Sequence, residues 1–138
     1  MAQSLAENIR GLDRSWEWGA LIYILDGELH STTIITQQSS TEIGFPYGSN
    51  SYLPDGAHIV GWIHSHPDIP GQPPQMYMSG DDMGARQTML DHADGRYTVA
   101  ENLMSYVVAM DDHRLYEFDQ DDGEGELGTN VTPCGGFD

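Results

Sequence analysis

Lysine is absent from this 138-residue chain, and its five basic residues are all arginines: Arg10, Arg14, Arg86, Arg96 and Arg114. Against them stand 22 acidic residues, a formal net charge of −17 and an isoelectric point near 4.2. A surface of that sign repels phosphate backbones and anionic lipid, so nucleic acid and membrane surfaces are excluded as partners. Cysteine is almost absent. Cys134 stands alone, which rules out an intrachain disulfide and a Cys-rich zinc module. Long apolar runs are missing as well: the longest, Ala20 to Leu25 with Tyr23 counted, is far short of a membrane span. The first residues, MAQSLAENIRGLDRSW, carry no apolar run behind a basic head and do not read as a signal peptide. The expected compartment is the cytoplasm.

What is present describes a folded domain. A hydrophobic content of 38%, with three Trp, seven Tyr and three Phe, is too high for a chain kept open by its own charge. The length fits one domain with a proper core. Acid excess without lysine reads as adaptation to high salt, as in a halophile, where screening removes self-repulsion; the rival reading is an ordinary acidic cytosolic protein.

The chain divides into short elements without an internal repeat. Residues 3–13 predict a helix, with Leu5, Ile9 and Leu12 at i, i+4 and i+7 on one face. WEWGALIYILDGELHSTTII predicts two strands around Asp26-Gly27, the strongest hairpin signal in the chain. Residues 39–56, rich in Ser, Gly, Pro and Asn, predict loop with a short strand near Thr41 to Phe45. His58 to His66 (HIVGWIHSH) predicts a buried strand, and Pro67, Pro70, Pro73 and Pro74 then impose a loop. Ser79 to about Ala93 predicts a helix, Ser105 to Met110 a strand, Asp111-Asp112 a tight turn, and Arg114 to Phe118 the returning strand. From Asp119 the composition turns to Asp, Glu, Gly and Thr, so 119–138 is expected to be a loosely ordered acidic tail on a domain spanning 1–118. The element order gives an α/β (α+β layered) domain with a mixed β-sheet flanked by helices.

Three segments carry chemistry. In Ile63-His64-Ser65-His66-Pro67, residues i and i+2 of a strand share a face, so His64 and His66 offer two imidazoles side by side as zinc ligands. By itself H-x-H is also compatible with a solvated strand face. Ser79-Gly80-Asp81-Asp82 opens the second predicted helix. Ser79 suits an N-cap, Asp82 the acidic position of a capping box, and both acids complement the helix dipole. A helix start is also a rigid place to hold a carboxylate. Glu17, between Trp16 and Trp18, leads into the apolar strand. Facing inward, it would have its pKa raised by burial towards that of a general base. Facing outward, it would be an ordinary exposed strand-start glutamate. His30, His58, His92 and His113 lack partners at ligand spacing and read as structural or surface residues, and Cys134 sits in a Gly-rich tail with no nearby histidine. A zinc nucleobase deaminase would need H-x-E and P-C-x-x-C, but position 66 is His and the single cysteine is Cys134.

Taken together, Glu17-Trp18-Gly19-Ala20-Leu21-Ile22, His64-Ser65-His66-Pro67 and Ser79-Gly80-Asp81-Asp82 resemble the JAMM (MPN-plus, JAB1/Mov34) zinc metalloproteases. The resemblance implies a cytidine-deaminase-like sandwich holding one zinc ion per chain. It implies His64, His66 and Asp82 as metal ligands with water in the fourth place, Glu17 as the base acting on that water, and Ser79 as stabiliser of the oxyanion. Glu28 and Glu42 also lie upstream, but only Glu17 has the small residue and apolar strand behind it. The implied activity is that of a zinc metallo(iso)peptidase acting on ubiquitin-like protein conjugates or a peptide substrate. Two rivals stand beside it: a non-catalytic MPN-type scaffold, and a JAMM hydrolase of an amide that is not ubiquitin-like. Twelve residues separate His66 from Ser79, several more than the family pattern, and the excess (DIPGQPPQ) is expected to rim the cleft.

The charge makes a prediction about conditions. Repulsion among exposed carboxylates acts over a Debye length of about 30 Å at 0.01 M salt but only about 3 Å at 1 M. Thermal unfolding followed by circular dichroism should show the midpoint rising steeply with added KCl; a midpoint unchanged between dilute buffer and molar salt contradicts salt adaptation.

Overall fold

The computed structural model describes residues 1–12, 16–34, 53–66, 87, 97–110, 114–119 and 128–133. One helix and six strands are defined among them: α1 (Ala2–Arg10), β1 (Gly19–Leu25), β2 (Glu28–Ser31), β3 (Ala57–His66), β4 (Tyr97–Ala109), β5 (Arg114–Phe118) and β6 (Thr129–Asn130). The strands form one mixed sheet in the order β2-β1-β3-β4-β5-β6. Only β3 and β4 run parallel; every other neighbouring pair is antiparallel. The expected α/β class with a mixed sheet is therefore observed. No helix among the described residues is long and apolar enough to cross a membrane.

Helix α1 starts and ends earlier than the predicted 3–13. Its buried residues are Leu5, Ala6 and Ile9, and it stops at Gly11, whose N–H bonds the Asn8 carbonyl in a tightened last turn. Arg10 in the last turn faces the negative end of the helix dipole. Leu5, Ala6 and Ile9 pack on Ala20, Ile22, Ile63, Val108 and Leu115, one face of the sheet. The opposite face carries a second cluster that includes Leu21, Tyr23, Ile59, Trp62, Val107, Tyr116 and Phe118. Burying each Leu or Ile removes about 1.5–3 kcal/mol worth of apolar surface from water. Strands β1, β3 and the end of β4 are apolar on both faces because both faces are covered.

The first hairpin forms as predicted. Leu25 pairs with Glu28 across a two-residue turn, with Asp26 at φ 52° and Gly27 at φ 78°. Both positive angles are those of a type I′ turn, which Asp-Gly adopts at little steric cost. On this hairpin His30 stacks on Tyr23 and lies 3.8 Å from Glu28. On β3, His58 Nδ1 is 2.7 Å from Thr98 Oγ1.

Strand β3 carries one irregularity with large consequences. Against β1, Tyr23 pairs with Ile59 and Ile22 with Gly61, so Val60 is an extra residue on β3. Such a bulge shifts the side-chain alternation by one. Ala57 and Ile59 lie on the face away from α1, and so does Trp62, three positions on; Val60 and Ile63 lie on the α1 face. Against β4 the slip is larger, Ile59 pairing with Val99 but Gly61 with Met104.

Two expectations need correction. The strand expected at Ser105 to Met110 begins at Tyr97 and runs to Ala109. Its first half reads as polar because Glu101 and Asn102 sit in the slipped stretch, exposed, before Leu103 returns to the core. The loosely ordered tail is likewise not observed at 128–133. Thr129 pairs with Glu117 and Asn130 with Tyr116, Val131 N–H bonds the Leu115 carbonyl, and Thr132 Oγ1 accepts from Leu115 N–H. Gln3 of α1 donates to the Val131 carbonyl. Gly128 admits this strand: a Cβ there would stand 2.7 Å from the Glu117 carbonyl oxygen and 2.8 Å from the Phe118 ring. The predicted strand near Thr41 to Phe45, the Asp111-Asp112 turn, His92, His113 and Cys134 lie outside the described residues. So does nearly all of the predicted Ser79–Ala93 helix; within it Gln87 is helical and exposed.

Tyr106 pairs with Glu117 across β4 and β5. Burial, then a hydrogen bond to the Glu117 carboxylate and its charge, push the phenol pKa from 10.0 up to about 12. The fold favours the protonated phenol, so this stabilisation is complete below pH 10 and is lost as pH rises towards 12. Urea unfolding across that interval should show wild type losing more stability than Tyr106→Phe; equal losses contradict the assignment.

Candidate metal centre

The two histidines stand at the end of β3, in the centre of the sheet, paired with Val107 and Ala109 of β4. Because the bulge precedes them, they share the Trp62 face, opposite α1. Both are buried, His64 at 1% and His66 at 4% relative exposure. This excludes the solvated strand face that H-x-H alone left open. Their Nε2 atoms face each other at 3.1 Å, and the rings meet edge-on with centroids 4.9 Å apart. The end of the strand is tied down where the Met110 N–H bonds the His66 carbonyl.

Ser65, between them, points to the other face and joins β1 to the pair. Its N–H donates to the Trp18 carbonyl at 2.8 Å, and its Oγ accepts from the Trp18 N–H at 2.9 Å. Since Gly19 pairs with His64, these bonds carry the ladder one residue beyond β1, with Trp18 opposite Ser65. Glu17 immediately precedes Trp18, just outside β1. Glu17 is buried, at 6% exposure. A carboxylate in that position is costly to bury without compensation. The inward-facing reading of Glu17 is the one the structure supports.

Sequence reasoning missed two neighbours, Trp62 and Ser105. The Trp62 indole stacks on His64 with centroids 4.6 Å apart and planes 14° apart, and its Nε1–H donates to Ser105 Oγ. The i, i+2 spacing of Trp62 and His64 was a legible signal for the first contact. The second depends on the slipped β3–β4 register and has no local signature.

The pair fits a zinc ion by donor type and spacing. Tetrahedral zinc with Zn–N bonds of about 2.0–2.1 Å holds two ligand nitrogens roughly 3.3–3.4 Å apart, close to the separation seen. Glu17 does not complete a metal-holding group with the two histidines, and among the described residues no three His, Cys, Asp or Glu side chains converge on one point. Ser79 and Asp82 lie outside the described residues. No family model matches the chain, and no curated protein or solved structure is significantly similar to it.

Metal analysis of purified protein should return about one zinc per chain for wild type and close to none for His64→Ala or His66→Ala. Stoichiometric zinc retained in either variant removes that histidine from the site.

Proposed function

We propose that this chain is a zinc-dependent metallo(iso)peptidase of the JAMM type, built on a cytidine-deaminase-like sandwich, that releases small ubiquitin-like modifiers from their conjugates. The observation that carries the reading is the buried His64–His66 pair, Nε2 to Nε2, together with a buried Glu17 next to the residue that bonds Ser65 between them. The six-stranded mixed sheet with a helix on one face is compatible with that sandwich. His64, His66 and Asp82 would hold the ion. When bound, zinc lowers the pKa of a coordinated water to about 7 and offsets negative charge growing on the substrate carbonyl.

The remaining chemistry belongs to the chain. Glu17 takes a proton from the attacking water and returns it to the amine nitrogen as the carbon–nitrogen bond breaks. Its burial limits competing solvent and strengthens its interaction with neighbouring charge. Ser65 fixes the main chain beside Glu17 from β3 itself, so base and ligands form one rigid unit. Ser79 donates a hydrogen bond to the carbonyl oxygen as charge develops there. The proline-rich segment 68–75 follows closely on the second histidine in sequence and would border the peptide cleft, with Asp68 its one acid.

Cleavage of a ubiquitin-like fusion in molar salt tests the reading. Wild type should hydrolyse the fusion, and Glu17→Ala should keep its zinc and its fold while losing turnover, because a general base acts on the rate and not on metal affinity. Zinc retained by wild type without hydrolysis of any fusion or peptide points to the scaffold reading instead. Hydrolysis confined to other amides points to a substrate that is not ubiquitin-like.

A further inference from the structure

A histidine on a strand is held loosely about its last side-chain torsion, because that torsion has broad, shallow minima. His64 nevertheless presents Nε2 to His66 at 3.1 Å. Its plane is defined on one side by Trp62, whose ring lies nearly parallel to it at 4.6 Å. The indole is itself fixed at its edge, since Nε1–H donates to Ser105 Oγ. Trp62 and Ser105 are direct register partners across the parallel β3–β4 pair, and both are almost completely buried, at 1% and 0% exposure. Ser105 lies between Leu103 and Val107, which face the same core cluster. A hydroxyl there costs free energy unless it is paired, and the indole N–H carries the same requirement. Each satisfies the other, and the arrangement permits one orientation of the indole.

We propose that Trp62 is a positioning residue for His64, locked in that role by Ser105, so that the metal affinity of the site is set from β4 through the indole. The inference rests on the metal reading above. A partner that orients a metal-ligating histidine is worth about 10–100-fold in affinity. Trp62 does so through its ring face, while His66 meets the same imidazole edge-on. If Trp62 only filled the core, its truncation would lower stability and leave the affinity of the folded protein unchanged.

The test uses the full chain in molar salt. Zinc affinity is measured by competition with a chromophoric chelator, and the visible spectrum of the Co²⁺-loaded protein reports ligand geometry. Trp62→Leu removes the flat face and should weaken zinc about 10–100-fold and shift the Co²⁺ bands. Trp62→Phe keeps a flat face and should recover most of the affinity. Ser105→Ala frees the indole edge and should weaken zinc in the same direction by a smaller factor. In a His64→Ala background, Trp62→Leu should make no further difference to residual metal binding. Wild-type affinity and spectrum in folded Trp62→Leu overturn the inference and leave the metal reading standing. Should Trp62→Leu fail to fold, wild-type affinity in Ser105→Ala overturns it equally. An undiminished effect of Trp62→Leu in the His64→Ala background overturns it too, since the indole would then act elsewhere. Wild type that takes up neither zinc nor Co²⁺ overturns the metal reading and this inference with it.

Discussion

One extra residue in β3 decides which face of the sheet the two histidines take. Val60 has no partner on β1, and the alternation of side chains changes phase there. Were β3 paired without a bulge along its whole length, His64 and His66 would continue the series of His58 and Val60 and face α1. With it, they continue Trp62 on the other face. A bulge of this kind disrupts the ladder locally, yet it is kept in the most central part of the sheet. The same shift brings Trp62 against Leu21 and Ser105, and Ser65 against the Trp18 main chain.

The polar residues of the interior concentrate at one end of the sheet. Glu17, His64, Ser65, His66 and Ser105 are all buried, and Thr32 is the one other buried polar residue among those described. Thr32 serves the scaffold, its Oγ1 accepting the Leu21 N–H at the end of the first hairpin. Of the others, Ser65 stands between the two histidines in sequence and Ser105 bonds the indole that stacks on His64. Buried polar groups raise the free energy of a fold unless paired, so each needs a partner inside the fold. Ser65 and Ser105 show how that need is met: each pairs with a group that also needed a partner, the Trp18 main chain in one case and the Trp62 indole in the other.

The edges of the sheet contrast with this centre. On β2, Leu29 is half exposed, while the opposite side of the sheet is closed by β6, which a glycine at 128 admits against Glu117 and Phe118. The segment after Phe118 is acidic and rich in glycine, a composition that signals disorder. Its strand is short, two residues long, and forms because β5 offers unpaired main-chain groups and α1 offers Gln3. Composition reports what a segment can do alone; a two-residue strand exists only on an edge already made. The slipped half of β4 has no strand signature in the sequence for a related reason, since Glu101 and Asn102 obey no strand alternation where the ladder is interrupted.

The sequence by itself determined the elements whose causes are local: the Asp26-Gly27 turn, the apolar stripe of α1, the buried run of β3 and the i, i+2 spacing that puts two imidazoles on one face. It also determined the acidic surface and the absence of a disulfide. Only the tertiary structure decided which face the histidines take, because that depends on a single unpaired residue whose presence is defined by β1, some forty positions away. Burial of Glu17 was likewise decided by the tertiary structure, and so was the meeting of Trp62 with Ser105. Such contacts follow from strand register, a non-local property in which a shift of one residue exchanges the two faces of the sheet.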